Sequence, residues 1–244
     1  MRSTILTVRH PNNSLLKEIR SILVNLHNAK FKNFSLNRYR EKVFFYQKLL
    51  NNNNTAVKIL YSIKDNVYSY LLTDQILIQS FLYLRCVRPL SKKTPHMMDA
   101  IPFHRESFYG KNMHKVFNVW TPVFGKKTPK ALSYVPNSHL IKNKDIKLKI
   151  NKDIYTKQKS FGHKLGFLYQ PKEIVGGVDL KKAKEMKVPF YSTALFSGNL
   201  IHGPSTNNTN ETRISLDFKI IRKKDYKKDS KLHITSLKPY FIEF

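Results

Sequence analysis

A mainly β fold with helices packed on one sheet is predicted by three features of the sequence. The first 80 residues carry apolar side chains at helical spacing. From about residue 81 short apolar runs alternate with Pro, Gly and Asn clusters, the texture of short strands. Hydrophobic residues make up 41% of the 244, including 16 Phe and 13 Tyr, which is enough for a real core and argues against disorder. Short strands at this spacing suggest a sandwich or double-sheet jelly roll, and such folds commonly stay undivided at this length. One domain is therefore expected over 1–244, with a helical flank at 1–80, a jelly-roll core at 81–222 and a C-terminal extension at 223–244.

The elements follow in order. Met1 to His10 holds one apolar patch, Ile5 to Val8, too brief for a signal peptide. Leu15, Leu16, Ile19, Ile22, Leu23 and Leu26 recur at helical spacing after Ser14, a candidate cap. A second helix is expected from Ser35 to Leu50, with Leu36, Tyr39, Val43, Tyr46 and Leu50 on its apolar side. Asn51 to Asn54 reads as a loop, and 55–80 as mostly helix. Expected strands are Phe81–Val87, Lys115–Val123, Ala131–Val135, His163–Tyr169, Ser192–Ile201 and Thr212–Ile221. The basic stretch 141–160 reads as an insertion loop, and 176–189 as carrying a short helix.

Composition narrows the classes. Cys86 is the only cysteine, so neither a disulfide framework nor a cysteine-based zinc site can form within one chain. No apolar run approaches a membrane span, so the Asn-x-Ser/Thr matches at Asn53, Asn207 and Asn210 are expected to be idle and the location cytoplasmic. The net charge of +28 admits two readings. One is an anionic partner, whether a phosphate-bearing substrate, nucleic acid or an acidic surface. The other is a Lys-, Asn- and Ile-rich composition that selects no ligand. Lysines are spread along the chain, with dense segments at 142–159 and 219–231.

The chemistry-bearing pattern is His104-Arg105-Glu106, then His202, then Arg213. In an extended segment residues two apart point the same way, so His104 and Glu106 can serve one metal. His202 comes 98 positions later (202 − 104), closing the apolar run Thr193–Ile201, and Arg213 follows eleven further on (213 − 202). Two imidazoles and one carboxylate occupy one face of an Fe(II) octahedron and leave three positions open. The planar fork of an Arg binds a carboxylate bidentately, as a 2-oxoacid cosubstrate requires. Alternation along the last long strand puts Ser215 on the face of Arg213, with Ile214, Leu216, Phe218 and Ile220 on the other. His114 and His139 are the rival imidazoles.

These residues resemble those of the 2-oxoglutarate/Fe(II) dioxygenases, in particular the phytanoyl-CoA dioxygenase-like group, over roughly 80–221. The carriers are Phe103-His104-Arg105-Glu106, Val119-Trp120-Thr121-Pro122, Tyr134-Val135-Pro136-Asn137-Ser138-His139 and the run from His202 through Gly203, Asn207 and Thr209 to Arg213. The group usually has Pro-Gly-Ser-His where this chain has Pro136-Asn137-Ser138-His139; Asn tolerates the same left-handed backbone as Gly. Glu106 stands where Asp is commoner, which leaves the triad intact with a longer arm.

The resemblance implies a cupin-like double-stranded β-helix. It implies Fe(II) held by His104, Glu106 and His202, 2-oxoglutarate anchored by Arg213 with help from Ser215, and O2 as the oxidant. Trp120 falls where the group places a cosubstrate-lining Trp, and also reads as a core aromatic. The implied reaction hydroxylates a small molecule with release of succinate and CO2. Desaturation or epimerisation is possible on the same machinery, and halogenation is disfavoured because the acidic ligand is present. Within the group the chain looks most like oxygenases of carbohydrate and aminoglycoside assembly. The lysine-dense loop 141–160, with Arg85, Arg88 and Arg105, is the expected contact surface for a phosphate-bearing sugar. A nucleic-acid or protein demethylase of the same superfamily is the second reading, although no nucleic-acid module is recognisable. A non-catalytic jelly-roll binding protein is the third. Oligomeric state is open.

Overall fold

The computed structural model describes residues 4–28, 36–89, 102–109, 112–125, 132–150, 172–205, 207, 209–227 and 240–244. The expected strand His163–Tyr169 lies outside them, as do 151–160 and Ala131.

Four helices precede most of the sheet: α1 (Ser14–Asn28), α2 (Leu36–Asn52), α3 (Thr55–Ser62) and α4 (Lys64–Leu71). Ser14 is the first helical residue rather than the cap. The cap interaction comes from Asn12, whose Oδ1 accepts the Ser14 N–H at 2.8 Å. Helix α2 runs on through Asn51 and Asn52, and the turn comes at Asn54, whose φ of 52° is left-handed. Helix ends at Leu71, so the expected helix over 55–80 is corrected: Ile76–Gln79 is strand β2. Its residues Ile76 and Ile78 pack in the helix–sheet core while Leu77 joins another cluster, a period of two that a short apolar run cannot announce in isolation.

The remaining strands are β1 (Ile5–Arg9), β3 (Tyr83–Val87), β4 (Phe117–Phe124), β5 (Leu132–Tyr134), β6 (Lys147–Ile150), β7 (Lys172–Gly176), β8 (Lys184–Glu185), β9 (Ser192–Ser197), β10 (His202–Pro204), β11 (Arg213–Arg222) and β12 (Phe241–Glu243). A seven-stranded sheet has the order β1-β9-β4-β11-β2-β12, with β3 also paired to β11. A smaller sheet, β10-β5-β8, faces it, and an antiparallel bridge between His104 and His202 adds a fourth segment beside β10. This arrangement is the expected double-stranded β-helix. The N-terminal patch at Ile5 proves to be an edge strand of the large sheet, paired with β9.

One face of the large sheet packs on the helices. Leu16, Ile19 and Leu23 of α1, Val43 and Leu50 of α2 and Ile59 and Leu60 of α3 meet Val119, Leu195, Ile214, Leu216, Phe218 and Ile220. Each such buried side chain contributes ~1.5–3 kcal/mol. The opposite face of the sheet looks into the jelly roll and carries Arg213, Ser215, Asp217 and Lys219 as well as the apolar Trp120, Ala194 and Phe196.

The segment 192–201 is not one strand. Strand β9 stops at Ser197, residues 198–200 turn, and His202 opens β10 in the other sheet. His202 and Arg213 therefore stand on different sheets. Of the basic stretch, 143–145 forms a 3-10 turn and 147–150 pairs with β7, so its described part is structured rather than a loop. The helix expected within 176–189 is a single 3-10 turn, Leu180–Lys182.

Candidate metal centre

His104 and His202 form a hydrogen-bonded antiparallel pair, each N–H donating to the other's carbonyl at 2.9 Å. Paired residues project to the same side, and the two imidazole centroids lie 4.5 Å apart. The close approach of the two backbones depends on Gly203, where an added Cβ would come within 2.9 Å of the Phe103 Cα. After Arg105, whose backbone is extended, the chain tightens into a 3-10 turn, Glu106–Phe108. Glu106 N–H donates to Gly198 O at 2.8 Å, so the turn before β10 holds the carboxylate residue directly.

The three side chains converge. Glu106 Oε1 lies 3.7 Å from His104 Nε2 and 3.8 Å from His202 Nε2, and the donor atoms all fall within 4.8 Å of one another. It is the one such cluster among the described residues, and all three members are buried. The imidazoles are oriented from behind. His104 Nδ1 bonds Pro102 O at 2.8 Å, and His202 Nδ1 bonds Leu200 O at 2.9 Å. A carbonyl only accepts, so each Nδ1 carries the hydrogen and each Nε2 keeps its lone pair for a ligand. Two neutral Nε2 atoms and a carboxylate, with their outer hydrogen bonds satisfied, fit Fe(II).

Electrostatics prepares the same state. Burial alone would push the Glu106 carboxyl up, but the Lys219 cation beside it holds it well below the usual carboxylate range. Burial, reinforced by His104, lowers His202 to about 4, so its imidazole is neutral near pH 7. Lys219 Nζ sits 3.5 Å from Glu106 Oε2, and both side chains are under a tenth exposed.

Strand β11 carries the rest. Ile214, Leu216, Phe218 and Ile220 face the helices, so Arg213, Ser215, Asp217 and Lys219 face inward by alternation. Arg213 is buried and donates from Nη2 to Ser205 O, three residues past His202. Burial lowers its pKa to about 10, with Glu185 opposing, and it stays a cation. Ser215 pairs with Arg85 on β3 and Pro122 on β4, two residues from Arg213 on the same strand. Trp120 is buried among Met186, Val188, Ala194, Phe196 and Leu200. Phe196 stands edge-on to His202 at 5.0 Å, so Trp120 reaches the triad through one ring.

Sequence reasoning missed two residues. Arg105, expected to contact substrate, is instead buried: Nη1 donates to Ile141 O at 2.7 Å and Asn143 Oδ1 at 3.1 Å, and Nη2 to Ser138 O at 2.7 Å. It ties the Asn137-Ser138-His139 turn to the His-x-Glu segment. Asn137 is left-handed there, with φ 59°, and Ser138 Oγ accepts the Ile201 N–H at 2.8 Å, beside His202. Lys219 was legible as one of many lysines and as a fallback anchor for the cosubstrate carboxylate, not as a partner of Glu106. Its place on the Arg213 face, six residues on (219 − 213), was the available signal. His139 and His114 do not join the cluster. Arg88 is buried with its guanidinium 4.4 Å over the Tyr39 ring, whereas Arg85 bonds Asp217 at 3.0 Å.

Among solved structures the chain is similar to the non-heme monooxygenase ThoJ in its apo form, at 15% identity and TM-score 0.57, with 90% of this chain and 74% of that one covered. It is also similar to EvdO2 from Micromonospora carbonacea var. aurantiaca complexed with 2-oxoglutarate, at 11% identity and TM-score 0.55, covering 90% and 86%. AviO1 from Streptomyces viridochromogenes Tue57 matches at 11% identity and TM-score 0.55, covering 93% and 94%. These likenesses establish the fold of the chain as that of these proteins. No protein-family model matches the sequence, nor does any curated protein.

Proposed function

We propose that the chain is an Fe(II)- and 2-oxoglutarate-dependent oxygenase that hydroxylates a small molecule. The observation that carries this is the triad of two Nε2 atoms and Glu106 Oε1, buried and aimed at one point. His104, Glu106 and His202 hold the metal, and their three-sided arrangement leaves positions for cosubstrate and O2. Bound Fe(II) supplies the redox chemistry, activation of O2 coupled to conversion of 2-oxoglutarate into succinate and CO2.

The protein's own groups bind, orient and exclude. Arg213, a buried cation, receives the far carboxylate of 2-oxoglutarate, with Ser215 beside it on the same face. Phe196, with Trp120 in the same apolar cluster, keeps the His202 side of the site dry. The site residues come from both sheets, His202 from β10 and Arg213 from β11, and the core linking helices α1–α4 to β11 supports reading 1–244 as one oxygenase unit.

The substrate class is a carbohydrate-type or phosphate-bearing metabolite. Its support is the lysine-rich ribbon of β6 and β7, whose Lys172 Nζ donates to Phe108 O at 2.9 Å and so packs against the turn that starts at Glu106.

The test is metal binding. Protein purified without oxygen is expected to bind one Fe(II), and His104→Ala or His202→Ala to lose both iron and substrate-stimulated succinate release. Wild-type iron content in the two variants would sink the site.

A further inference from the structure

The two oxygens of Glu106 have different surroundings. Oε1 faces the imidazole nitrogens at 3.7 and 3.8 Å, while Oε2 faces Lys219 Nζ at 3.5 Å. Resting on the iron reading above, we propose that Lys219 is a positioning residue that reserves Oε2, so that Glu106 gives the metal one oxygen and cannot chelate with both.

The physical case starts from the length of the side chain. A Glu has one more rotatable bond than an Asp, and so more freedom to swing its second oxygen towards a cation. A metal bound by both oxygens of Glu106 would lose one of the positions that cosubstrate and O2 need. The ion pair between Lys219 Nζ and Oε2, both buried, opposes that swing.

Lys219 is built for the task. It is 4% exposed, and an uncompensated buried ammonium costs several kcal/mol, so its counter-charge has to be close. Asp217, on the same strand face, is already paired with Arg85, which leaves Glu106 as the counter-charge of Lys219 among the described residues. Its backbone is anchored too. Lys219 lies where β11 changes partner, from β3 up to Asp217 to β2 from Ile220. Its N–H there donates to Oε1 of the buried Gln79 at 3.0 Å instead of to a strand. The ammonium also stands 5.6 Å from the centre of the Tyr83 ring, which limits its excursions.

Co(II) in place of iron gives a readout independent of turnover. Lys219→Met keeps the apolar stem and removes the charge. It is expected to bind Co(II), to show an altered visible ligand-field spectrum before any cosubstrate is added, and to bind 2-oxoglutarate at least about tenfold more weakly. Lys219→Arg should restore both. An unchanged spectrum together with unchanged 2-oxoglutarate affinity in Lys219→Met would overturn the proposal. Should that variant not fold, the wild type itself decides. Infrared difference spectra of Co(II)-loaded protein with 13C-labelled Glu should show the wide carboxylate splitting of one-oxygen binding; a narrow, chelate-type splitting overturns the proposal. Failure of wild-type protein to bind Co(II) at all would instead remove the metal site itself.

Discussion

At the scale of single residues, the site depends on cations removed from water and given one task each. Arg213, Arg105 and Lys219 are all buried, yet they have different partners and their loss should read out differently. Arg213→Lys keeps the charge and loses the planar fork. The apparent constant for 2-oxoglutarate is expected to rise at least about tenfold, or ~1.4 kcal/mol, in a succinate assay. An unchanged constant would move the carboxylate anchor, although Arg222 and Lys219 are already engaged with Asp225 and Glu106. Arg105→Met is a stability experiment instead. It strips the Ile141 carbonyl of its Arg donor and leaves the Ser138 carbonyl with the Ile141 N–H alone, and a buried group left unpaired costs about 1–3 kcal/mol. Denaturant unfolding should show a loss of about 1–3 kcal/mol, and a loss under ~1 kcal/mol would mean that the turn at Asn137 holds itself.

Elements meet through polar contacts as well as through the core. His10, just past β1, bonds Ser62 Oγ of α3 at 2.7 Å and Thr193 Oγ1 of β9 at 2.8 Å. Ser62 gives its own hydrogen to Ile59 O, so His10 Nδ1 donates and Nε2 accepts from Thr193. Neutral imidazole satisfies this chain and imidazolium does not. Burial accordingly lowers His10 from 6.5 to about 4. The folded state thus binds fewer protons than the unfolded one between those values, and stability rises with pH through that window. Thermal midpoints should fall as pH is lowered from about 6.5 towards 4, and His10→Gln should flatten that slope. Parallel curves for the two proteins would assign the acid sensitivity elsewhere.

Across the whole molecule the question is what the net charge of +28 is for. At physiological salt a charge much beyond ~8 Å from a bound anion is largely screened. Only lysines near the site can then serve an anionic substrate. Lys142, Lys144, Lys147 and Lys149 lie in the segment that Arg105 anchors through Ile141 and Asn143, next to the His-x-Glu turn. Neutralising these four should raise the substrate constant and leave uncoupled 2-oxoglutarate turnover intact. Neutralising the set Lys227, Lys228 and Lys231, of which the last two lie outside the described residues, should change little. Equal effects from both sets, or none, would make the charge a matter of composition.

The sequence by itself determined the features that repeat or sit close together in the chain. Helices α1 and α2 were legible because apolar residues recur at their period, and β11 because Ile214, Leu216, Phe218 and Ile220 alternate with polar residues. The His104, Glu106 and His202 set was legible because ligand chemistry demands those residue types. Short strands were harder. β1, β2 and β8 have five, four and two residues, and their state depends on strands far away in sequence that offer an edge. Only the tertiary structure decided that Ser192–Ile201 breaks and changes sheets, which brings His202 beside His104. It alone decided that Arg105 turns into the protein while Lys219 meets Glu106, 113 positions away (219 − 106). A lysine's partner is set by what lies within a few ångströms after folding, and nothing local in the chain encodes that distance.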